Sequence, residues 1–123
     1  MSRTALNMTV QEQRAFHPGA LTASQPDAGR WDRAWQVARA AAQVLRQQFG
    51  ATRVVGFGSL TNRAWFTRWS DIDLAAWGIP PESFYRAVAV VTGLSAEFKI
   101  DLVAPEDCAP SLNQAIEREG VDL

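Results

Sequence analysis

The sequence predicts an α/β (α+β) fold, a small mixed sheet packed by helices, and three observations carry that expectation. Short apolar runs bounded by turn residues, "TRVVGFG", "DIDLAAW" and "EFKIDLV", read as strands. Longer segments with apolar residues at three- and four-residue spacing lie between and around them and read as helices. Helices and strands then alternate along the chain, as a layered α/β domain requires.

Residues 1–29, rich in Ser, Thr, Gln, Pro, Gly and Asp, are expected to form an N-terminal arm ahead of a domain over residues 30–123. Thr9 to Glu12 fits a capping box, which predicts a short helix ending about Phe16; a loosely attached tail is the other reading. His17 to Gly19 is a turn. Trp31, Trp35, Ala38, Ala42, Leu45 and Phe49 then mark an amphipathic helix, with Ser24 or Asp27 available to cap its start and Gly50 to end it. The first strand follows and is expected to break at Gly56 and Gly58. The second runs from Asp71 to Trp77. Pro80 and Pro81 open a helix to about Thr92, with Phe84, Val88 and Val91 on one face. Glu97 to Val103 is the third strand, and a last short helix spans Pro110 to Arg118 before Gly120.

Length and composition bound the function. A chain of 123 residues, 47% hydrophobic, suits one domain with its own core. A net charge of -1 excludes a broad basic surface for gripping nucleic acid. Cys108 is the only cysteine, so no disulfide closes within the chain. No apolar run reaches the roughly eighteen residues of a membrane span, and the first residues lack a signal-peptide run. The expected location is the cytoplasm.

The chemistry is expected in three aspartates. Strand side chains alternate between faces, so Asp71 and Asp73 point the same way, roughly 7 Å apart, with Ile72 and Leu74 directed to the core. Asp101, between Ile100 and Leu102, shares the polar face of its strand with Lys99. If those strands are neighbours, roughly 4.8 Å separates their backbones and three carboxylates converge. Their repulsion is relieved by a cation, and an oxygen-only donor set suits Mg²⁺ or Mn²⁺, which complete their shells with water and substrate phosphate.

A second half of the site is expected at "GFGS". Gly58 supplies a flexible backbone after the strand, and Ser59 is expected to cap a short helix whose N–H groups favour a phosphate. The turn is not a P-loop, because no lysine stands there. It is not a dinucleotide fingerprint either, because Thr61 occupies the place of the third glycine.

Gly58-Ser59, then Asp71-x-Asp73, then Asp101 on a later strand resembles the polymerase-beta-type nucleotidyltransferases, above all the minimal nucleotidyltransferases (MNT) that pair with HEPN-domain proteins as antitoxin and toxin. The resemblance covers about Trp31 to Leu123. It implies that Asp71, Asp73 and Asp101 hold Mg²⁺ and that Gly58 and Ser59 hold the outer phosphates of ATP. It further implies that AMP passes to a hydroxyl of a partner HEPN toxin as pyrophosphate leaves. Two departures stand out: the Ser-to-Asp spacing is one residue longer than is common in that family, and Leu60 and Arg63 stand where the family commonly has arginine and glycine. Arg63 or Arg68, and Lys99 on the third strand, are available as replacement cations toward the triphosphate. A turn weakened in this way leaves open an antitoxin that neutralises its partner by binding alone.

Trp65, Phe66 and Trp69 crowd the segment between turn and aspartates, where they serve either the core or a partner interface. Tyr85 and His17 are expected to pack and to turn the chain respectively, without a chemical role. A small-molecule acceptor is disfavoured because the relatives that use one carry an added helical domain.

Overall fold

The computed structural model describes residues 29–123. The expected helix at Thr9 to Phe16, the His17 turn and the caps Ser24 and Asp27 lie outside the described residues. Helix α1 spans Arg30–Phe49 and begins from Gly29 without a capping side chain. It ends at Gly50, whose φ of 76° is a left-handed conformation that glycine adopts without a Cβ clash. Ala34, Ala38, Ala41, Ala42, Leu45 and Phe49 form its buried stripe. Trp31 and Trp35, at the same spacing, are only half-buried.

Strand β1 (Arg53–Phe57) leads into a 3₁₀ turn at Gly58–Thr61. Gly56 does not break the strand as expected; it pairs with Leu74 within the ladder. Strand β2 (Ile72–Trp77), helix α2 (Pro81–Thr92) and strand β3 (Ile100–Val103) follow. Both strands start later than the apolar runs suggested. The residues before β3 form bends tied by the Ser95 hydroxyl, which accepts the amides of Glu97 and Phe98. A 3₁₀ turn (Pro105–Asp107), helix α3 (Pro110–Glu119) and a two-residue strand β4 (Val121–Asp122) complete the chain. Neither Pro105–Asp107 nor β4 was foreseen, since elements this short leave no periodic pattern.

The sheet order is β3-β2-β1-β4. β1 is antiparallel to both β2 and β4, while β2 and β3 run parallel through the α2 crossover. Alternation divides the residues between two cores. Val54, Ile72, Leu74, Ala76, Ile100 and Leu102 pack with α1 and α2 on one face. Val55, Phe57 and Ala75 pack with Ile116 of α3 on the other. On this second face Asp73 is half-buried and Asp101 exposed.

Gly120 joins α3 to β4 in a tight space, where a Cβ would lie 2.3 Å from both Ile116 O and Val55 Cγ1. Gly120→Ala is therefore expected to displace β4 and cost about 1–3 kcal/mol, the range for overpacking a core, as read by urea unfolding.

Candidate active site

The site forms where the parallel pair begins. Asp73 and Asp101 are direct register partners, and Phe57 faces Asp73 from the other side. The pairing starts at the amide of Ile72, which donates to Lys99 O at 2.9 Å. Asp71 precedes β2 by one residue and is half-buried; Asp101 is exposed. Ile72 and Leu74 are fully buried behind Asp73, as the alternation predicted.

Asp73 carries the electrostatic strain. Its carboxyl is pushed up from the ordinary 3.8 to about 7, first by burial, then by the charges of Asp101 and Asp71. Lys99 pulls in the opposite direction, so this exposed lysine is near enough for its charge to be felt. The donors are all oxygens, and the pairing of Asp73 with Asp101 offers the two carboxylates that Mg²⁺ commonly takes beside water and phosphate. Among the described residues, no three His, Cys, Asp or Glu side chains stand together closely enough to grip an ion. The chemistry of the pair thus fits a divalent cation, whereas a closed three-carboxylate cage is not formed in advance.

Gly58 packs against this carboxylate. Its φ is 71°, and a Cβ there would lie 2.6 Å from Asp73 Oδ2. Glycine is required twice, by the left-handed backbone and by the close approach. The following turn departs from expectation. Its N-cap is Phe57, Gly58 is its first residue, and Ser59 forms no capping bond. Thr61 Oγ1 donates instead to Gly58 O at 2.8 Å. Four residues of 3₁₀ structure carry little of the dipole that a longer helix would offer a phosphate. Leu60, fully buried, anchors the turn in the core, and Trp31 Nε1 donates to Leu60 O at 2.9 Å.

The arginines lie apart from this centre. Arg63 sits 5.7 Å from the Trp31 ring centre and Arg68 5.4 Å from that of Trp69, both on aromatic faces. The three aromatics of the segment divide: Phe66 packs inward on Phe98, ring centres 6.2 Å apart, while Trp65 and Trp69 are 61% and 75% exposed. Tyr85, expected to pack, is 85% exposed on α2. Sequence reasoning missed the support given by Trp31 and by Arg30, which donates to Arg68 O at 2.9 Å and to Thr67 O at 3.4 Å. The available signal was a cation in the first turn of a helix, against the dipole.

A solved structure provisionally described as a minimal nucleotidyltransferase is similar to this chain over 80% of its length and the whole of the other chain, with a TM-score of 0.62 and 24% identity. That likeness shows the fold. No protein-family model and no curated protein matches the chain. No helix among the described residues is long and apolar enough to cross a membrane.

Two outcomes follow from this geometry. Asp73 binds its proton more tightly folded than unfolded, so its contribution is fully present below about pH 3.8 and is lost as pH rises to about 7. The shift corresponds to at most about 4 kcal/mol. Unfolding measured from about pH 4 to pH 8 is expected to show this decline, and Asp73→Asn should flatten it and be the more stable protein at the upper end. Gly58→Ala is expected to cost about 1–2 kcal/mol for the left-handed backbone alone. A double-mutant cycle with Asp73→Ala, read by urea unfolding, should recover only the part of the loss that arises from the clash.

Proposed function

We propose that this chain is a metal-dependent nucleotidyltransferase that moves a nucleoside monophosphate, AMP from ATP, onto a hydroxyl of a partner HEPN toxin and so acts as its antitoxin. The observation that carries this reading is the register pairing of Asp73 with Asp101, with the Gly58 backbone lying against Asp73. The carboxylates and the Gly58 turn thereby adjoin, and transfer at the α-phosphorus would call for such neighbours.

In this reading Asp73 and Asp101, joined by Asp71, hold Mg²⁺ or Mn²⁺. The cation would neutralise the charge that develops on the phosphoryl oxygens. Asp73, pushed up to about 7, would hold the cation in its ionised form, so cation binding would be coupled to loss of its proton. Gly58 and Ser59, the first two residues of the 3₁₀ turn, would hold the outer phosphates. Lys99 adds positive charge beside the carboxylates. Arg63 and Arg68 would have to leave their aromatic faces to help.

A second reading is favoured by one observation. The turn after Gly58 is a single 3₁₀ element anchored by a buried Leu60, and its arginines lie elsewhere. Such a site suits an antitoxin that neutralises its partner by binding alone, with Trp65 and Trp69 as exposed anchors.

Calorimetric titration with Mg²⁺ and a non-hydrolysable ATP analogue separates the two. Wild type is expected to bind only with metal, and Asp71→Asn/Asp73→Asn to lose roughly a hundredfold or more in affinity, as expected when the charges that hold the cation are removed. Binding that ignores both metal and mutation would sink the enzymatic reading. Neutralisation of the partner that survives the double mutant would support the second.

A further inference from the structure

An arginine is electrostatically misplaced in the first turn of a helix, where the dipole disfavours a cation. Arg30 nevertheless stands there, the first residue of α1, with a side chain only 18% exposed. Its guanidinium is engaged on every side. Nη2 donates to Arg68 O at 2.9 Å and Nε to Thr67 O at 3.4 Å. Nη1 pairs with Glu97 at 3.5 Å. The planar group lies 4.5 Å from the ring centre of Phe98 and 6.0 Å from that of Phe66.

These partners belong to two chain segments that meet nowhere else in sequence. Thr67 and Arg68 close the tight turn that delivers the chain to Asp71; Ser70 N donates to Thr67 O and Thr67 N to Ser70 Oγ. Glu97 and Phe98 deliver it to Lys99 and then Asp101. Just beyond Arg30's contacts, Ile72 N bonds Lys99 O and the parallel ladder begins. Besides Arg30, the two segments touch through the rings of Phe66 and Phe98, 6.2 Å apart. A parallel pair of four register positions is short, and its open end, which holds the carboxylates, is the end most prone to fray.

We propose that Arg30 is a positioning residue that clamps the two segments leading into the parallel strands and so fixes the separation of Asp71 and Asp73 from Asp101. The fork of the guanidinium spans two carbonyls while its face covers two rings, and a lysine offers neither geometry. Arg30 touches no aspartate of the site; it acts through the backbone. The consequence for cation binding rests on the proposed function, whereas the clamp itself does not.

The test uses the whole chain and two readouts. Amide hydrogen exchange at Ser70 and Ile72 is expected to quicken about tenfold or more in Arg30→Ala, the factor one charge-assisted hydrogen bond is worth, with the β1 amides unchanged. Arg30→Lys should resemble Arg30→Ala, because the fork and not the charge is what acts. It also keeps the test alive if the alanine variant fails to fold. Arg33→Ala, which removes a second arginine bound to Glu97, should leave Ser70 protected. In parallel, Mn²⁺ binding followed by electron paramagnetic resonance should weaken severalfold in both Arg30 variants. Unchanged exchange at Ser70 and Ile72, full protection in the lysine variant, or equal loosening of β1 would overturn the clamp. If wild type takes no Mn²⁺, the functional reading fails, and the exchange data still decide the role of Arg30.

Discussion

The site depends on one constraint: a parallel strand pair that sets one aspartate directly beside another. Asp73 and Asp101 cannot be charged together at this spacing without repulsion, and the burial of Asp73 adds to the strain. Opposing this, Ile72, Leu74, Ile100 and Leu102 are all buried on the reverse face of the same two strands. Each such side chain contributes about 1.5–3 kcal/mol, so the four together exceed a carboxylate penalty of about 4 kcal/mol. The apolar face holds the register, and the polar face accepts the strain that follows. Alternation along a strand makes the two inseparable, since a one-residue slip would expose the core and bury the acids.

The Gly58–Thr61 turn is governed by the same carboxylate. Gly58 can follow β1 so closely only because it has no Cβ to meet Asp73. The turn then needs an anchor, and Leu60 provides it by entering the core beneath Trp31. A buried leucine at this position holds the backbone but brings no charge to a phosphate. The nearest cation whose charge reaches Asp73 is Lys99, while Arg63 and Arg68 lie on Trp31 and Trp69.

What the sequence revealed follows from periodicity. Helix α1, the strands around Gly56 and Leu74, and the shared face of Asp73 and Asp101 are written in apolar spacing, which one segment carries by itself. The start of β3 was not legible, because Ser95 captures the amides of Glu97 and Phe98 by side-chain bonds that no period records. Gly56 was misread as a break because its neighbours, not its own propensity, keep it in the ladder. Ser59 was misread as a cap because the turn begins one residue earlier and closes through Thr61. The hydrogen bonds of Arg30 and Trp31 were not legible since their partners lie about forty and thirty residues away and were fixed only by folding.

The exposed aromatics complete the physical picture. Trp65 and Trp69 extend into water from a segment whose Phe66 is packed on Phe98 and whose carbonyls are held by Arg30. Exposing two tryptophans forfeits the hydrophobic stabilisation that their burial would bring. The groove against Trp31, Asp32, Trp35, Arg39 and Val121 is not lined by Asp71, Asp73 or Asp101, so it offers those three carboxylates no enclosure. A macromolecule that covers Trp65 and Trp69 would bring its own wall to the site, exclude water there and strengthen every charge interaction that Asp73 makes.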